Sequence, residues 1–431
     1  MSTPSLIPQD APSHAPKPPR ARPLLFNGNY MLLWSGQAIS SIGTQASGLA
    51  FPLLVFALTG SAAQAGFMGA VRAAPYLLFS LPAGALIDRW NRKVVMMLCD
   101  AGRALALGSI PIAVVLQQVG LAQLTLAQLY IVSAVEGTLF VFFNLAEVAS
   151  LPRVVPKEQL PAANAQNQAT DGTSALVGPP LGGALFGIAA MLPFLADAIS
   201  YGASVLSLSL IRARFQERRA VPRRRLWHEI GEGLGWLFHH PLVRFIALLT
   251  GMFNLTSAGF VLIVIVLAKP LHASNLSIGL VFTIGGIGGI VGAIIASPLQ
   301  KRLRFGVVIM TTSFIWAAIW FAYIFAPDIW SIGILTAISF LINPIYNVTQ
   351  MSYRMALIPD RLQGRVNSVF RLVAFGGQPL GFALTGIALD AFGPYYTLAA
   401  IGAIQLFMAV LTASNTHVRH AKPLKELPPS E

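Results

Sequence analysis

The sequence predicts an all-α polytopic membrane protein of twelve transmembrane helices, and three observations predict it. Of its 431 residues 55% are hydrophobic and only 10% charged, with a mean hydropathy of +0.67. A soluble domain needs about a quarter of its residues charged to cover its surface. Apolar runs long enough to cross a ~30 Å hydrocarbon layer at ~1.5 Å rise per residue recur along the chain. The basic residues gather between alternate runs: of the 29 Lys and Arg, all but Arg72, Arg103 and Lys269 fall on one side of the predicted bilayer.

Residues 1–23 are Pro-rich and lack an apolar core, so they read as a disordered cytoplasmic arm and not as a cleavable signal peptide. Six apolar runs follow at about 28–57, 63–87, 94–117, 124–150, 162–189 and 191–211, forming an N-terminal bundle over 24–211. A polar linker, 212–242, separates them from six more at about 243–269, 276–299, 305–326, 329–353, 364–388 and 392–414. These make a C-terminal bundle over 243–414, followed by a tail, 415–431. The charge segregation puts both termini on the cytoplasmic side of a plasma membrane, in a bacterium the inner one.

The net charge of +13 does not point to nucleic acid, because the basic residues come in small groups between apolar spans. The single Cys99 leaves no intrachain disulfide and no Cys-based metal site, and His239-His240 has no acid or Cys close in sequence. No Walker lysine motif, His-Glu-x-x-His or Gly-x-Ser-x-Gly occurs, so neither ATP, a metal nor any other cofactor is expected, and an intramembrane enzyme is disfavoured. In the linker, Leu226, Trp227, Ile230, Leu234, Leu237 and Phe238 share one side of a predicted amphipathic helix. Arg223 to Arg225 precede it, near anionic membrane lipid.

The halves are repeated. "PLGGALFG" at 180–187 and "PLGFALTG" at 379–386 occupy the fifth and eleventh spans, preceded by Pro156 and Asn164 in one half and by Pro359 and Asn367 in the other. Between the second and third spans lies "GALIDRWNRK", Gly84 to Lys93, with four charges in ten residues. Two six-span halves with this loop resemble the major facilitator superfamily over about residues 25–415. Gly84, Leu86, Asp88, Arg89, Arg92 and Lys93 fit its loop signature, and Asn91 stands where Gly is usual, a residue that also tolerates positive φ. "LPRVVPKEQLPAANAQNQ", "GPPLGG" and "GRVNSVFRL" are similar to the drug and siderophore exporter branch, which includes enterobactin exporters and macrolide efflux proteins.

Arg89, Arg92 and Lys93 enforce topology, but Asp88 needs another reason, since acids contribute little to orientation. An Asp at a helix end can meet the free N–H groups of another helix. The resemblance implies that its partner is the start of span eleven, around Gln363 to Asn367, in a latch that closes the cytoplasmic side of the outward-facing state. Gly84 would permit the close approach. The matching "SPLQKRLRFG" of the second half has Gln300 and no acid. In span five, Gly178-Pro179 and Gly182-Gly183 read as a packing kink. They also resemble the Gly-Pro-x-x-Gly-Gly of exporting antiporters, with Ser174 replacing an earlier Gly of that pattern, and this points toward export.

A charge at mid-bilayer costs at least a few kcal/mol, so each ionisable residue there calls for a reason. Asp100 and Arg103 are placed to pair on one helix face; Asp197 and Arg371 read as scaffold near span ends. Arg72, Glu136 and Asp171 fall within spans that, by the resemblance, border a central cavity. Glu136 or Asp171 can carry the coupling proton, or can instead form a buried pair with Arg72. Glu147 lies nearer the cytoplasm, placed to contact a neighbouring span or the latch. The span-four arginine of many drug antiporters is absent: Ser133, Glu136 and Gly137 occupy its motif, so their proton mechanism does not transfer. Trp34, Gln37, Gln45, Asn254, Asn343, Tyr346, Asn347 and Gln350 are the candidates for a neutral, hydrogen-bonding cavity lining suited to an amphipathic organic substrate. The expected function is monomeric, proton-coupled efflux of a small molecule. The alternatives are a proton-coupled importer of a nutrient or lysophospholipid, and a non-transporting receptor on the same scaffold.

Overall fold

The computed structural model describes residues 24–121, 123–213, 215, 226–421 and 426. The arm over 1–23, the linker arginines 223–225 and most of the tail beyond 421 lie outside the described residues, as do the side chains of 226–230. Six helices come first: α1 (Gly28–Thr59), α2 (Ala62–Ile87), α3 (Arg92–Gln118), α4 (Leu126–Val154), α5 (Leu160–Ile188) and α6 (Leu192–Leu210). The linker forms α7 (Leu226–His239). Then follow α8 (Pro241–Ser257), α9 (Phe260–Ala268), α10 (Asn275–Arg302), α11 (Phe305–Ala322), α12 (Ile329–Leu357), α13 (Gln363–Phe375), α14 (Gln378–Ser414) and the short α15 (Thr416–Arg419).

Side-chain caps set the starts. Asn27, Ser61, Asn91, Thr125 and Ser274 each accept a backbone N–H of the first turn of α1, α2, α3, α4 and α10, and Asp328 forms a capping box on α12. Asn91 therefore keeps the loop for a different reason from the one expected: its φ is −68°, and it serves as an N-cap, not as a left-handed turn residue.

Nine stretches of the described residues are long and apolar enough to cross a membrane. One of them, Asp360–Ser414, has 55 residues, far more than the ~20 a single crossing takes. It breaks at Gly376-Gly377 and leaves helical geometry at Gly393, whose φ is 76°. Outside the nine lie α2 and the polar-rich α5, which are 26 and 29 residues long. With these, and with α8 and α9 as two parts of one crossing, the architecture is consistent with twelve. The break in the eleventh span stays satisfied because Asn254 on α8 donates to the Ala374 carbonyl at 2.8 Å.

Helices α1–α6 pack on one another chiefly through α1 with α5 and α6, α2 with α4, and α3 with α4 and α6. In the second half α10 packs on α12, α11 on α12 and α14, and α8 on α13 and α14. Between the halves the main contacts are α2 with α14 and α5 with α10. One face of the molecule carries α7 and both ends of the described chain, and is called here the linker face; the opposite one is the distal face.

On the linker face α7 docks against α13. Leu237 is buried among Val243, Ile246, Val366 and Phe370, and Glu232 ion-pairs with Arg365. Leu234 and Phe238, expected on the same side as Leu237, stay exposed. His240 stacks on Trp236 with ring centroids 5.0 Å apart, and burial holds its imidazole below the usual histidine range.

Candidate functional site

The halves meet tightly at the distal face because small residues let backbones touch. A Cβ on Gly66 of α2 would lie 2.6 Å from the Phe382 carbonyl and 2.8 Å from Gly386 Cα on α14. A Cβ on Gly183 of α5 would lie 2.1 Å from the Asn275 carbonyl at the start of α10, and one on Gly279 would lie 2.5 Å from the Pro179 carbonyl. The span-five motif thus works as a three-way platform in a continuous helix: Gly178 and Gly182 receive α1 at Gln45 and Ala46, and Gly183 receives the other half.

A carboxylate reinforces this seal. Asp390 of α14 accepts the backbone N–H of Ala62 at 2.7 Å and of Ala63 at 2.9 Å, and the Ser61 hydroxyl, all at the first turn of α2. The free N–H groups and dipole of that turn make it a natural seat for an anion. Asp390 escapes a reading of the sequence because neither repeat nor motif marks it. Its one signal is an acid at the far end of an apolar run, on the face where charge is scarce.

The loop signature sits at the opposite end. Asp88 is exposed and ion-pairs with Arg92 one turn on, at 3.3 Å. Arg92 also donates to the Ala149 carbonyl at 2.7 Å, and Lys93 caps the end of α6 through the Ser209 and Ile211 carbonyls at 3.0 and 2.7 Å. Arg89 is exposed. The close approach expected at Gly84 is not made in this structure, where a Cβ there would meet nothing within 4 Å. The first turn of α13, the expected seat of Asp88, carries α7 through Glu232 and Arg365. Higher up, Arg371, read from sequence as scaffold, donates to the Tyr76 hydroxyl at 2.7 Å and so links the halves.

Buried ionisable groups concentrate in the first half. Arg72 grips Glu136 with two nitrogens, Nε at 2.5 Å and Nη2 at 3.2 Å, and the Glu136 side chain is 2% exposed. The helices approach closely there: a Cβ on Gly137 would lie 2.1 Å from the Arg72 carbonyl. Asp100 and Arg103 pair at 2.8 Å, Arg103 also donates to the Tyr201 hydroxyl, and Asp100 accepts from Ser204 at 2.6 Å. Asp197 is buried against Ser47 and Ser200. Asp171 stands apart from this cluster, exposed on α5 along one stripe with Asn164 and Gln168.

The expected cavity lining is only partly available. Tyr346 and Gln350 are buried inside the second half: Tyr346 bonds Thr250 at 2.7 Å, and Gln350 accepts from Arg354 at 3.3 Å. Asn254 is occupied by the Ala374 carbonyl, and Gln37 donates to Ser204 at 3.1 Å. The rotation of α12 turns Tyr346 and Gln350 into the interior of the second half, which corrects the expectation for those two, whereas Asn254 and Gln37 are half-buried and bonded to neighbouring helices. Half-buried Trp34 donates to Thr170 on α5 at 2.9 Å. Gln45, Asn343 and Asn347 are exposed, the two asparagines bonded to each other at 2.8 Å.

Comparison with known proteins agrees with this geometry. The sequence profile of a major facilitator family described as transmembrane secretion effectors matches residues 22–430. The multidrug efflux pump Tap of Mycolicibacterium fortuitum is 25% identical over 404 residues, covering 89% of this chain and 95% of Tap. The enterobactin exporter EntS of Citrobacter koseri is 25% identical over 354 residues, covering 81% of this chain and 82% of EntS. The crystal structure of a bacterial homologue of the iron transporter ferroportin in its inward-facing state superposes with a TM-score of 0.71 at 18% identity, covering 91% of this chain and 99% of that one. With its helices paired as they are and its whole length matched, this chain belongs to the major facilitator superfamily, in the family of transmembrane secretion effectors, and is a multi-pass membrane transporter and not an enzyme.

Proposed function

We propose that this protein is a monomeric secondary exporter that uses proton entry to drive a small amphipathic organic molecule, a drug or a siderophore, out across a bacterial inner membrane. The distal face is outside, and both termini are in the cytoplasm. The segregation of Lys and Arg to the linker face supports that orientation. The likeness to Tap, a multidrug efflux pump, and to EntS, an enterobactin exporter, supports the direction.

The single observation that carries alternating access is the contrast between the two faces. The distal seal is backbone-tight and clasped by Asp390, while Gly84 on the linker face looks onto open space. This is the arrangement of an inward-open state. Asparagines 164, 343 and 347, with Gln168 and Asp171, are exposed polar groups on membrane-crossing helices, and an aqueous path between the halves gives them solvent. In the outward-open state the clasps exchange: Asp390 leaves the first turn of α2, and Asp88 reaches the first turn of α13. The two acids are matched in place: Asp88 caps the end of α2, and Asp390 lies just before the break at Gly393 in the span that begins with α13.

Everted membrane vesicles containing the full chain test the direction. With ethidium as probe, energising the vesicles with an inward-acid gradient should drive ethidium into the lumen, and collapsing the gradient should release it. Ethidium accumulation in right-side-out vesicles under the physiological gradient would instead mean import. Saturable binding with no flux in either orientation would mean a receptor.

A further inference from the structure

Resting on the proton-driven reading above, we infer that Asp197, and neither Glu136 nor Asp171, is the residue that binds the coupling proton, as an enclosed carboxyl that two hydroxyls serve and no ion pair among the described residues neutralises. Asp197 was expected to be scaffold. Its surroundings say otherwise.

Charge counting comes first. An ionised carboxylate buried away from water needs a cation or several strong donors. Glu136 has Arg72, and Asp100 has Arg103. Asp197 is 1% exposed, and its oxygens meet two hydroxyls: Ser47 Oγ lies 2.5 Å from Oδ2, and Ser200 Oγ lies 3.2 Å from Oδ1. The charged or titratable groups around it are Arg72 on α2, Glu136 on α4 and Tyr201 on its own helix. Arg103 on α3 is held by Asp100 and Tyr201. Arg72, the cation on the neighbouring α2, is held by Glu136. Two of its nitrogens hold Glu136, and its third, Nη1, lies 3.4 Å from where a Cβ of Gly48 would stand, next in sequence to Ser47. With that guanidinium committed to Glu136, an ionised Asp197 would rest on two hydroxyls alone, so this site holds a proton more readily than an ion-paired acid does.

Donor counting gives that proton a seat. With the proton on Asp197 Oδ2, the new O–H donates to Ser47 Oγ, and the Ser47 hydroxyl turns to the Thr44 carbonyl at 3.2 Å. The Ser200 hydroxyl then rests on the Asp197 carbonyl at 2.7 Å. When the proton leaves to water, the Asp197 O–H bond breaks, Ser47 turns back to donate to Oδ2 and Ser200 serves Oδ1. Every donor has an acceptor in both states, and the exchange needs only two hydroxyl rotations.

The seat is also joined to the seal. Residues 42–48 of α1 meet Asp197 through Gly43 and Ser47 on one side, and Gly178 and Gly182 of α5 through Ile42, Gln45 and Ala46 on the other. Gly183, next on α5, is the residue against α10. A shift of α1 on proton binding is therefore transmitted through one helix to the contact between the halves.

Infrared difference spectra of the full-length protein in liposomes, taken across a pH step, test this without any substrate. Wild type should show the C=O stretch of a buried neutral carboxylic acid that appears and disappears with pH, and Asp197→Asn should remove it. A band absent from wild type, or unchanged in the variant, overturns the assignment. In the same liposomes, a one-unit pH gradient coupled to one proton sustains up to about tenfold ethidium accumulation. Asp197→Asn should reduce this to no accumulation while still exchanging ethidium in counterflow. A variant that keeps gradient-driven accumulation, or loses counterflow as well, contradicts the role. If the band behaves as expected but the wild-type gradient moves no ethidium, the proton-driven reading fails by itself. Asp197→Ser, smaller and hydroxyl-matched, stands in should the Asn variant not fold, and loss of folded protein in both would make Asp197 scaffold after all.

Discussion

Glu136→Ala is expected to cost about 3–5 kcal/mol of stability, the usual penalty for stranding one member of a buried ion pair. The Arg72 guanidinium loses a two-pronged partner that is itself 2% exposed. The guanidinium is held in that buried place by the close packing of α2 on α4, where Gly137 lies directly against the Arg72 carbonyl. Arg72→Met should do similar damage, leaving Glu136 buried without its cation. The double variant Arg72→Met/Glu136→Ala should recover most of the loss, since no uncompensated charge remains. Unfolding of the four proteins in detergent, followed by circular dichroism, closes the cycle. Losses that simply add would show that the two side chains do not act as a pair.

Asp390→Ala should open the distal face. The substitution removes a carboxylate that accepts from two backbone N–H groups and one hydroxyl at the start of α2. A charge-assisted clasp of this kind, partly exposed, is worth about 2 kcal/mol after screening, which moves a two-state population about thirtyfold. Asp390→Asn should fall between wild type and Ala, since one acceptor oxygen survives. Spin labels at Leu58 and Tyr396, both exposed near the distal turns, report the change as a longer distance in the variant. An unchanged distance distribution would reduce Asp390 to an ordinary helix cap.

Much of the architecture could be read from the sequence because membrane helices are written in long apolar runs and their sidedness in Lys and Arg. The span-five glycines were legible as a packing motif, and the structure adds what they pack against: α1 at Gly178 and Gly182, α10 at Gly183. The breaks at Ala258-Gly259 and Gly376-Gly377 were not legible, since apolar composition continues through them and their backbone groups are satisfied from a distance, as by Asn254. Helix rotation was equally hidden. Tyr346 and Gln350 lie four residues apart on the face of α12 turned into its own half, whereas Asn343 and Asn347, also four apart, face outward. Only tertiary packing chooses between those faces. Asp197 and Asp390 share a reason for going unread: each acts through hydroxyls or backbone N–H groups of a distant helix, and no local charge pattern announces such partners.

The central claim is that the two halves seal one face at a time. Pulsed electron–electron resonance on two labelled pairs tests it most directly, Leu58 with Tyr396 on the distal face and Arg89 with Arg361 on the linker face, in full-length protein at several pH values with and without ethidium. The account predicts two reciprocal populations, a short distal distance with a long linker-face distance and the reverse, exchanging weight as conditions change. A single distal distance that never moves, or two faces that lengthen together, would contradict it.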